Sequence, residues 1–369
     1  MYFQCTLNDL LPSINLVEKA VAVHDTLTVI TGIHLKADKK QVTLTSTNLE
    51  LGIQTNFPAD ITKQDQVIVD GKLLAGLVRK LPDQPIVFEL IDNRLVITAG
   101  MVEFSLNTFN TLIKDDFPNL PDAEEKLFKM SASKLLTMIK NTIYACGRDD
   151  KRAFLNSILL ELIDNKLNFV ATDINRLAFY STTIETDNSE PLQFLVPMKT
   201  LQEIQRSIPN DETEILISHN KNYLIFEFEN NKITTRLIDD QFPKYANLFP
   251  KEEPINIKVN RKILESAVER SSLIYSDDGS QIVIFKAENG ILEVRTPESS
   301  KGKSQEKINV EHEGENGEAA FSSKYILDML KATDADDIIF NFNSDLRQCL
   351  LKPDNEEEQK YLLMPIRLS

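Results

Sequence analysis

The sequence predicts an α+β protein in which one unit is built three times, each copy setting two helices against antiparallel sheet. Three recurring sets of segments carry that prediction. Lys72, Lys199 and Lys324 open the similar stretches "DGKLLAGLVRKLPD", "PMKTLQEIQRSIPND" and "SSKYILDMLKATDAD", spaced 127 and 125 residues apart. A second set, "TLNDLLPSINLVEKA" from Thr6, "SASKLLTMIKNTIYA" from Ser131 and "VNRKILESAVERSSL" from Val259, follows the same order. A third, "VTLTSTNLEL", "LNFVATDINRLAF" and "ILEVRTPESS", places Thr47, Thr172 and Thr296 at 125 and 124 residues. One period shared by three sets of segments, filling the chain three times, is an internal triplication. It predicts domains 1–125, 126–252 and 253–369, with boundaries in the polar "DAEEK" and "KEEP".

Each unit reads as helix, β-rich segments, second helix, further strands, with roughly eight short strands in all. The opening helix of the middle unit rests on Leu135, Ile139, Ile143 and Cys146, recurring at helical spacing after Ser131 or Ser133 as N-cap. Strands are read from "VFELIDNRLVITA" and "YLIFEFENNKITTRLI", whose β-branched and aromatic runs flank Asp92-Asn93 and Asn230-Asn231 as tight turns. The phrase "DDFPNLP" at 115–121 returns as "DDQFPKYANLFP" at 239–250, so that Phe117-Pro118 and Phe242-Pro243 lie 125 residues apart. These phrases close the first and second units.

Composition excludes some classes. At 369 residues with 42% hydrophobic and 26% charged residues, the chain has room for two or three soluble domains. No stretch approaches the ~18 apolar residues of a membrane helix, and the N-terminus lacks the pattern of a secretory signal. Cys5, Cys146 and Cys349 are odd in number and scattered, which points to reduced thiols and a cytoplasmic protein.

The net charge is −15, yet the positive charge is concentrated. At about 100° per residue, Arg79 falls within ~20° of Lys72, while Leu74, Leu77 and Leu81 fall roughly opposite. Lys199 and Arg206 oppose Leu201, Ile204 and Ile208 in the same way, and Lys324 and Lys331 oppose Ile326 and Met329. The six candidate helices, taken as 7–20, 70–82, 131–148, 197–209, 260–275 and 322–334, together carry +6, leaving −21 for the remainder. Such separation makes one surface attractive to phosphate while the rest repels it. No aromatic platform interleaves with the basic residues and no recognition helix or zinc finger is visible. Sequence-independent contact with the phosphate backbone therefore fits best.

Catalysis finds little support. His24, His34, His219 and His312 form no metal-spaced pair, and no G-x-S-x-G, HExxH or Walker loop occurs. Thr172-Asp173-Ile174-Asn175-Arg176, at a strand end, is the best polar constellation. A hydrolase using Asp173 and Arg176 is the competing reading; a turn whose Asp173 and Asn175 bond their own backbone is the preferred one. No cofactor or metal is expected.

The triplication, together with "VATDINRLAFYS", "DDQFPKYANLFP", "RKLPD" and the ending "YLLMPIRLS", resembles the bacterial DNA sliding clamp, the β subunit of the replicative DNA polymerase. The likeness spans the whole chain. It implies the clamp fold: two protomers closing head to tail into a ring of six similar domains, with twelve helices lining a hole. Twelve helices side by side at roughly 10 Å give a circle about 38 Å across at their axes. Removing a helix radius of ~5 Å per side leaves about 28 Å, enough for duplex DNA and a water layer. By the resemblance, the DNA-facing residues are His24, Lys72, Arg79, Lys80, Lys140, Arg148, Lys151, Arg152, Lys199, Arg206, Lys324 and Lys331. Phe104 and Leu106 would meet Leu273 and Ile274 of a second copy.

The resemblance also implies a cleft for partner peptides, built around a glutamine and a terminal Leu or Phe. The matching residues are Leu155, Thr172, Ile174, Asn175, Arg176, Leu177, Pro243, Asn247, Leu248, Leu362, Met364, Pro365, Ile366 and Arg367. Aliphatic residues with an adaptable Met, rimmed by Arg and Asn, suit an apolar site. Implied partners are duplex DNA, the catalytic subunit of the replicative polymerase, the clamp loader, repair polymerases and other proteins bearing such a peptide. Family members often carry Gly-His at Ile174-Asn175, a basic residue at Asn247 and an arginine at His24, and Ser369 extends the usual ending by one. A specialised copy serving repair, a plasmid or inhibitor resistance shares the same fold and is the nearer alternative.

Overall fold

The computed structural model describes residues 1–23, 26–109, 117–147, 151–186, 188, 190–208, 212–250, 254–274, 281–354 and 356–368. Among the described residues six α-helices recur in pairs: α1 (Leu7–Val17) and α2 (Gly71–Val78), α3 (Ala132–Lys140) and α4 (Met198–Ser207), α5 (Arg261–Ser271) and α6 (Ser323–Ala332). Each is shorter than its periodicity suggests. After α1 the chain tightens into a 3-10 turn, Glu18–Ala20, and after α3 into another, Ile143–Ala145. The helical rhythm of Leu135 and Ile139 therefore breaks before Ile143 and Cys146, which are only half-buried.

The helix starts follow capping chemistry. Thr6 caps α1 by accepting from the Asp9 amide, Asp70 caps α2 through the Leu73 amide, and Asn260 caps α5 through the Ile263 amide. Apolar faces point inward as the spacing predicts: Leu74, Leu77 and Leu81 of the first unit, Leu201 and Ile204 of the second, Ile326 and Met329 of the third are all buried.

The chain packs as two compact units, one of residues 1–133, 185–188 and 199–237, the other of 134–184, 189–198 and 238–369. The middle repeat thus supplies strands to both. In the first unit, an eight-stranded antiparallel sheet joins the first repeat to the second where Asn231–Arg236 pairs with Leu51–Pro58. In the second unit, a nine-stranded sheet joins the second repeat to the third where Gln359–Leu363 pairs with Arg176–Thr183. A five-stranded sheet in the first unit, ending at Val102–Asn107, and a four-stranded sheet in the second, ending at Gly317–Ser322, complete the layers.

Two of the hairpins close on two-residue turns whose first residue has positive φ. Asp92 (φ 52°) turns Ile91 onto Arg94, as the sequence predicts. The second predicted turn shifts by one residue: Glu229 (φ 49°) and Asn230 form it, and Asn231 already pairs with Phe228 in the ladder. The alternation of the strand holds the register, and the chain accepts Glu at the left-handed position to keep it. No helix among the described residues is long and apolar enough to cross a membrane.

Candidate functional site

A loop from Thr172 to Leu177 forms one wall of the candidate site. The Thr172 hydroxyl donates to the Arg176 carbonyl (2.6 Å) and accepts from the Ile174 amide (3.0 Å). The Asp173 carboxylate accepts from the amides of Asn175 and Arg176, both at 3.1 Å. This bonding drives Ile174 to φ 82°, where a β-branched side chain costs about 1–3 kcal/mol. From the other side of the site, the Met364 amide donates to the Asn175 carbonyl (2.8 Å), so the C-terminal segment clasps the loop.

Arg176 is 8% exposed and fully engaged. Its guanidinium meets Asp173 at 2.9 Å, Asp328 of α6 at 2.7 Å and the Tyr144 carbonyl, and lies 4.3 Å from the Tyr325 ring centroid. With Asp173 committed to the loop amides and to Arg176, neither group is poised for hydrolysis. The structure contains the self-bonded turn with Thr172 and Asp173 making its side-chain bonds, and Asn175 contributing its backbone amide and carbonyl.

Beside this loop lies a depression of about 140 Å³ lined by Thr172, Ile174, Asn175, Arg176, Leu177, Leu248, Gln348, Leu362 and Met364. Leu177 and Leu362 pair across adjacent strands and form its buried floor. Ile174, Leu248 and Met364 stand at its rim, 51%, 42% and 41% exposed. The phrase at 239–250 is anchored next to it by an aromatic cluster, with Phe154 against Phe242, and Phe179 against both Tyr245 and Phe249. Burial and the hydrogen bond to Glu161 hold the Tyr245 phenol neutral, its pKa raised well above the ordinary value.

Eight of the residues implied for the cleft line the depression, and six do not. Leu155 is buried; Pro243, Asn247 and Arg367 are exposed, and Pro365 is half-buried. Ile366 turns away: its amide donates to the Ala320 carbonyl (2.7 Å), adding a bridge at the edge strand Gly317–Ser322. Gln348 is an addition, its side-chain amide donating to the Leu248 carbonyl at 3.1 Å. It belongs to no repeated segment, so no signal in the sequence marked it.

The basic helix residues divide in two. Arg79 pairs with Glu18 and bonds Asn15 (2.9 Å), Arg206 pairs with Glu203 (2.8 Å), Lys331 with Glu269 (2.7 Å) and Lys140 with Asp334 (2.8 Å). Lys72, Lys80, Lys199 and Lys324 are exposed and make no ion pair among the described residues. In all three repeats, then, the first basic residue of the pair is open to solvent and the second is neutralised by a carboxylate. The spacing showed which face the residues share, but the carboxylate partners come mostly from other elements. Lys151 and Arg152 are exposed. His24 and Arg148 lie outside the described residues. Phe104, on the edge strand Val102–Asn107, is 38% exposed and Leu106 is buried; Leu273 is 76% exposed and Ile274 half-buried.

Comparison with known proteins places these features in one family. The N-terminal domain of the DNA polymerase III beta subunit matches residues 1–121, the central domain 129–244 and the C-terminal domain 246–367. The beta sliding clamp of Synechococcus elongatus is 29% identical over 380 residues, covering both chains fully. That of Staphylococcus epidermidis is 28% identical over 377 residues, covering 99% of this chain and 97% of its own. Among solved structures, the DNA polymerase sliding clamp from Bacillus subtilis superposes with a TM-score of 0.95 at 25% identity. The Pseudomonas aeruginosa clamp bound to griselimycin does so at 0.94 and 26%, each pair of chains being covered completely. With all three repeats matched in order, the chain belongs to the β-subunit family of DNA polymerase III, the sliding clamps, which act in replication as processivity factors and carry out no catalysis of their own.

Proposed function

We propose that this chain closes as a head-to-tail homodimer around duplex DNA in the cytoplasm, its repeats 1–125, 126–252 and 253–369 acting as clamp domains. Partner proteins dock on the depression between Ile174, Leu248 and Met364. The observation that carries the docking half is that rim: three exposed apolar side chains over a buried Leu177–Leu362 floor. A short peptide of the form Gln-Leu-x-Leu-Phe would bury its last two side chains here, each worth roughly 1.5–3 kcal/mol. The replicative polymerase, the clamp loader and repair polymerases would compete for this one site.

Encirclement is supported by the family and by the open lysines. Topological linkage lets each phosphate interaction stay weak, so the ring slides. Lys72, Lys199 and Lys324 carry most of the attraction; Arg79, Arg206 and Lys331, already beside carboxylates, add less. Phe104 and Leu106 of one copy would face Leu273 and Ile274 of the other.

The test uses primed circular and linear DNA with a clamp loader. The protein is retained on the circle and lost from the linear form. Changing Lys72, Lys199 and Lys324 to Gln lowers the salt slope of DNA association by about 0.9 per lysine replaced, whereas Arg79→Gln, Arg206→Gln and Lys331→Gln lower it less. Equal retention on both DNA forms would remove the ring; equal slopes would remove the division of labour among the basic residues. Leu273→Ala with Ile274→Ala yields folded monomer if the interface assignment holds, and an unchanged dimer if it does not.

A further inference from the structure

The three apolar residues at the rim of the depression differ in how firmly they are held. Met364 is unbranched and adaptable, and Leu248 sits on a 3-10 turn, Ala246–Leu248, with no buried residue. Ile174 is branched at Cβ and stands on a loop bonded at nearly every position, by Thr172, by Asp173 and by the Met364 amide. Its left-handed backbone belongs to the loop type itself. The equivalent loop in the first repeat, Thr47 to Leu51, has the same bonds and holds Leu49 at φ 72°. Backbone geometry is therefore fixed, and only the choice of side chain at this position is free. A glycine would satisfy the same φ without strain and without a wall.

Building on the docking reading above, we propose that Ile174 is a specificity-determining residue that limits the penultimate side chain of the bound peptide, the one placed against this wall, to about the size of leucine. A space of about 140 Å³ is that of a benzene-sized group. With a rigid branched wall on one side, a two-ring side chain has no room unless the wall moves, and this wall is the member of the rim least able to move.

The experiment measures binding of Gln-Leu-x-Leu-Phe and of the same peptide with Trp in place of the second Leu, to the full chain and to two variants. The full chain favours Leu over Trp by about tenfold or more. Ile174→Gly brings the two affinities within about twofold and raises the melting temperature by relieving the strained φ, while Ile174→Val, which keeps a branched wall, preserves the preference. A higher melting temperature with an unchanged Leu/Trp ratio would overturn the proposal, because Ile174 would then be strained without selecting. If the full chain binds neither peptide, the docking reading falls and takes this one with it.

Discussion

The Thr47–Gly52 loop of the first repeat and the Thr172–Leu177 loop of the second share one bonding pattern, and the second borders an apolar depression. In both, a Thr hydroxyl donates to the carbonyl four residues on, an Asx side chain accepts from two following amides, and the residue between has positive φ. In both, a strand from the next repeat clasps the loop, through the Arg236 amide to Glu50 (2.8 Å) or the Met364 amide to Asn175 (2.8 Å). What differs is the side chains on this shared frame. Gly52 and Thr234 are paired across the strands where Leu177 and Leu362 form the floor. A Cβ at Gly52 would lie 2.4 Å from Leu120 and 2.5 Å from the Thr234 hydroxyl, so Leu120 of "DDFPNLP" fills the space with the chain's own leucine. In the longer "DDQFPKYANLFP", the aromatic anchors hold the segment and Leu248 stays at the rim. On the docking reading proposed above, a duplicated loop serves binding because its floor is larger and its plug is withdrawn.

Breaking the polar core of the second loop gives the largest effect. Arg176→Ala leaves Asp173 and Asp328 without their cation and should cost about 3–5 kcal/mol in urea unfolding. Arg176→Leu with Asp173→Asn, which installs the first repeat's residues, should cost less because one carboxylate leaves with the guanidinium; an equal loss would show that the frame is not shared.

Removing residues 364–369 takes away the Met364 wall and the Ile366 bridge together. Peptide affinity should fall beyond detection and the melting temperature should drop; Met364→Ala separates the two, weakening the peptide about tenfold, roughly 1.4 kcal/mol, with little change in melting. Undiminished binding by the folded truncation would take the tail out of the site.

Converting the first loop toward the second tests the plug. Gly52→Leu should destabilise by about 1–3 kcal/mol through overpacking against Leu120, and Leu120→Ala in the same chain should return part of that loss. No rescue would mean that Leu120 does not occupy the equivalent of the cleft.

The smallest effect concerns two thiols, one in each unit, on the buried Cys5 and the half-buried Cys146. Burial, with a nearby Asp adding to it, pushes Cys5 up to about 12, and burial pushes Cys146 up to about 12 despite Arg176 nearby. The unfolded chain ionises these thiols near 9 and the folded one does not. Their contribution is therefore complete below about pH 9 and is lost as pH rises from there toward about 12. Between about pH 8 and 10 each thiol should take about 1.4 kcal/mol from stability, and Cys146→Ala should remove its share of that pH dependence. An identical pH profile in the variant would place the thiol's ionisation elsewhere.

Local sequence was enough to specify the triplication, the six helices with their inward faces, the turn at Asp92-Asn93 and the self-bonded loop at Asp173. These depend on short periods and on side chains bonding their own backbone, and both are written within a few residues. Most of the depression was legible too, because eight of its residues lie on repeated or family-marked segments. The rest came from the folded chain. Gln348 joined the site, Ile366 left it for a sheet edge, and the turn at Glu229-Asn230 moved by one residue to keep strand register. Whether a basic residue on a helix face stays open, as Lys72 does, or meets a carboxylate, as Arg79 does at Glu18, was equally beyond the sequence. Each outcome depends on what another part of the chain brings within a few ångströms, and helical spacing carries no record of that neighbour.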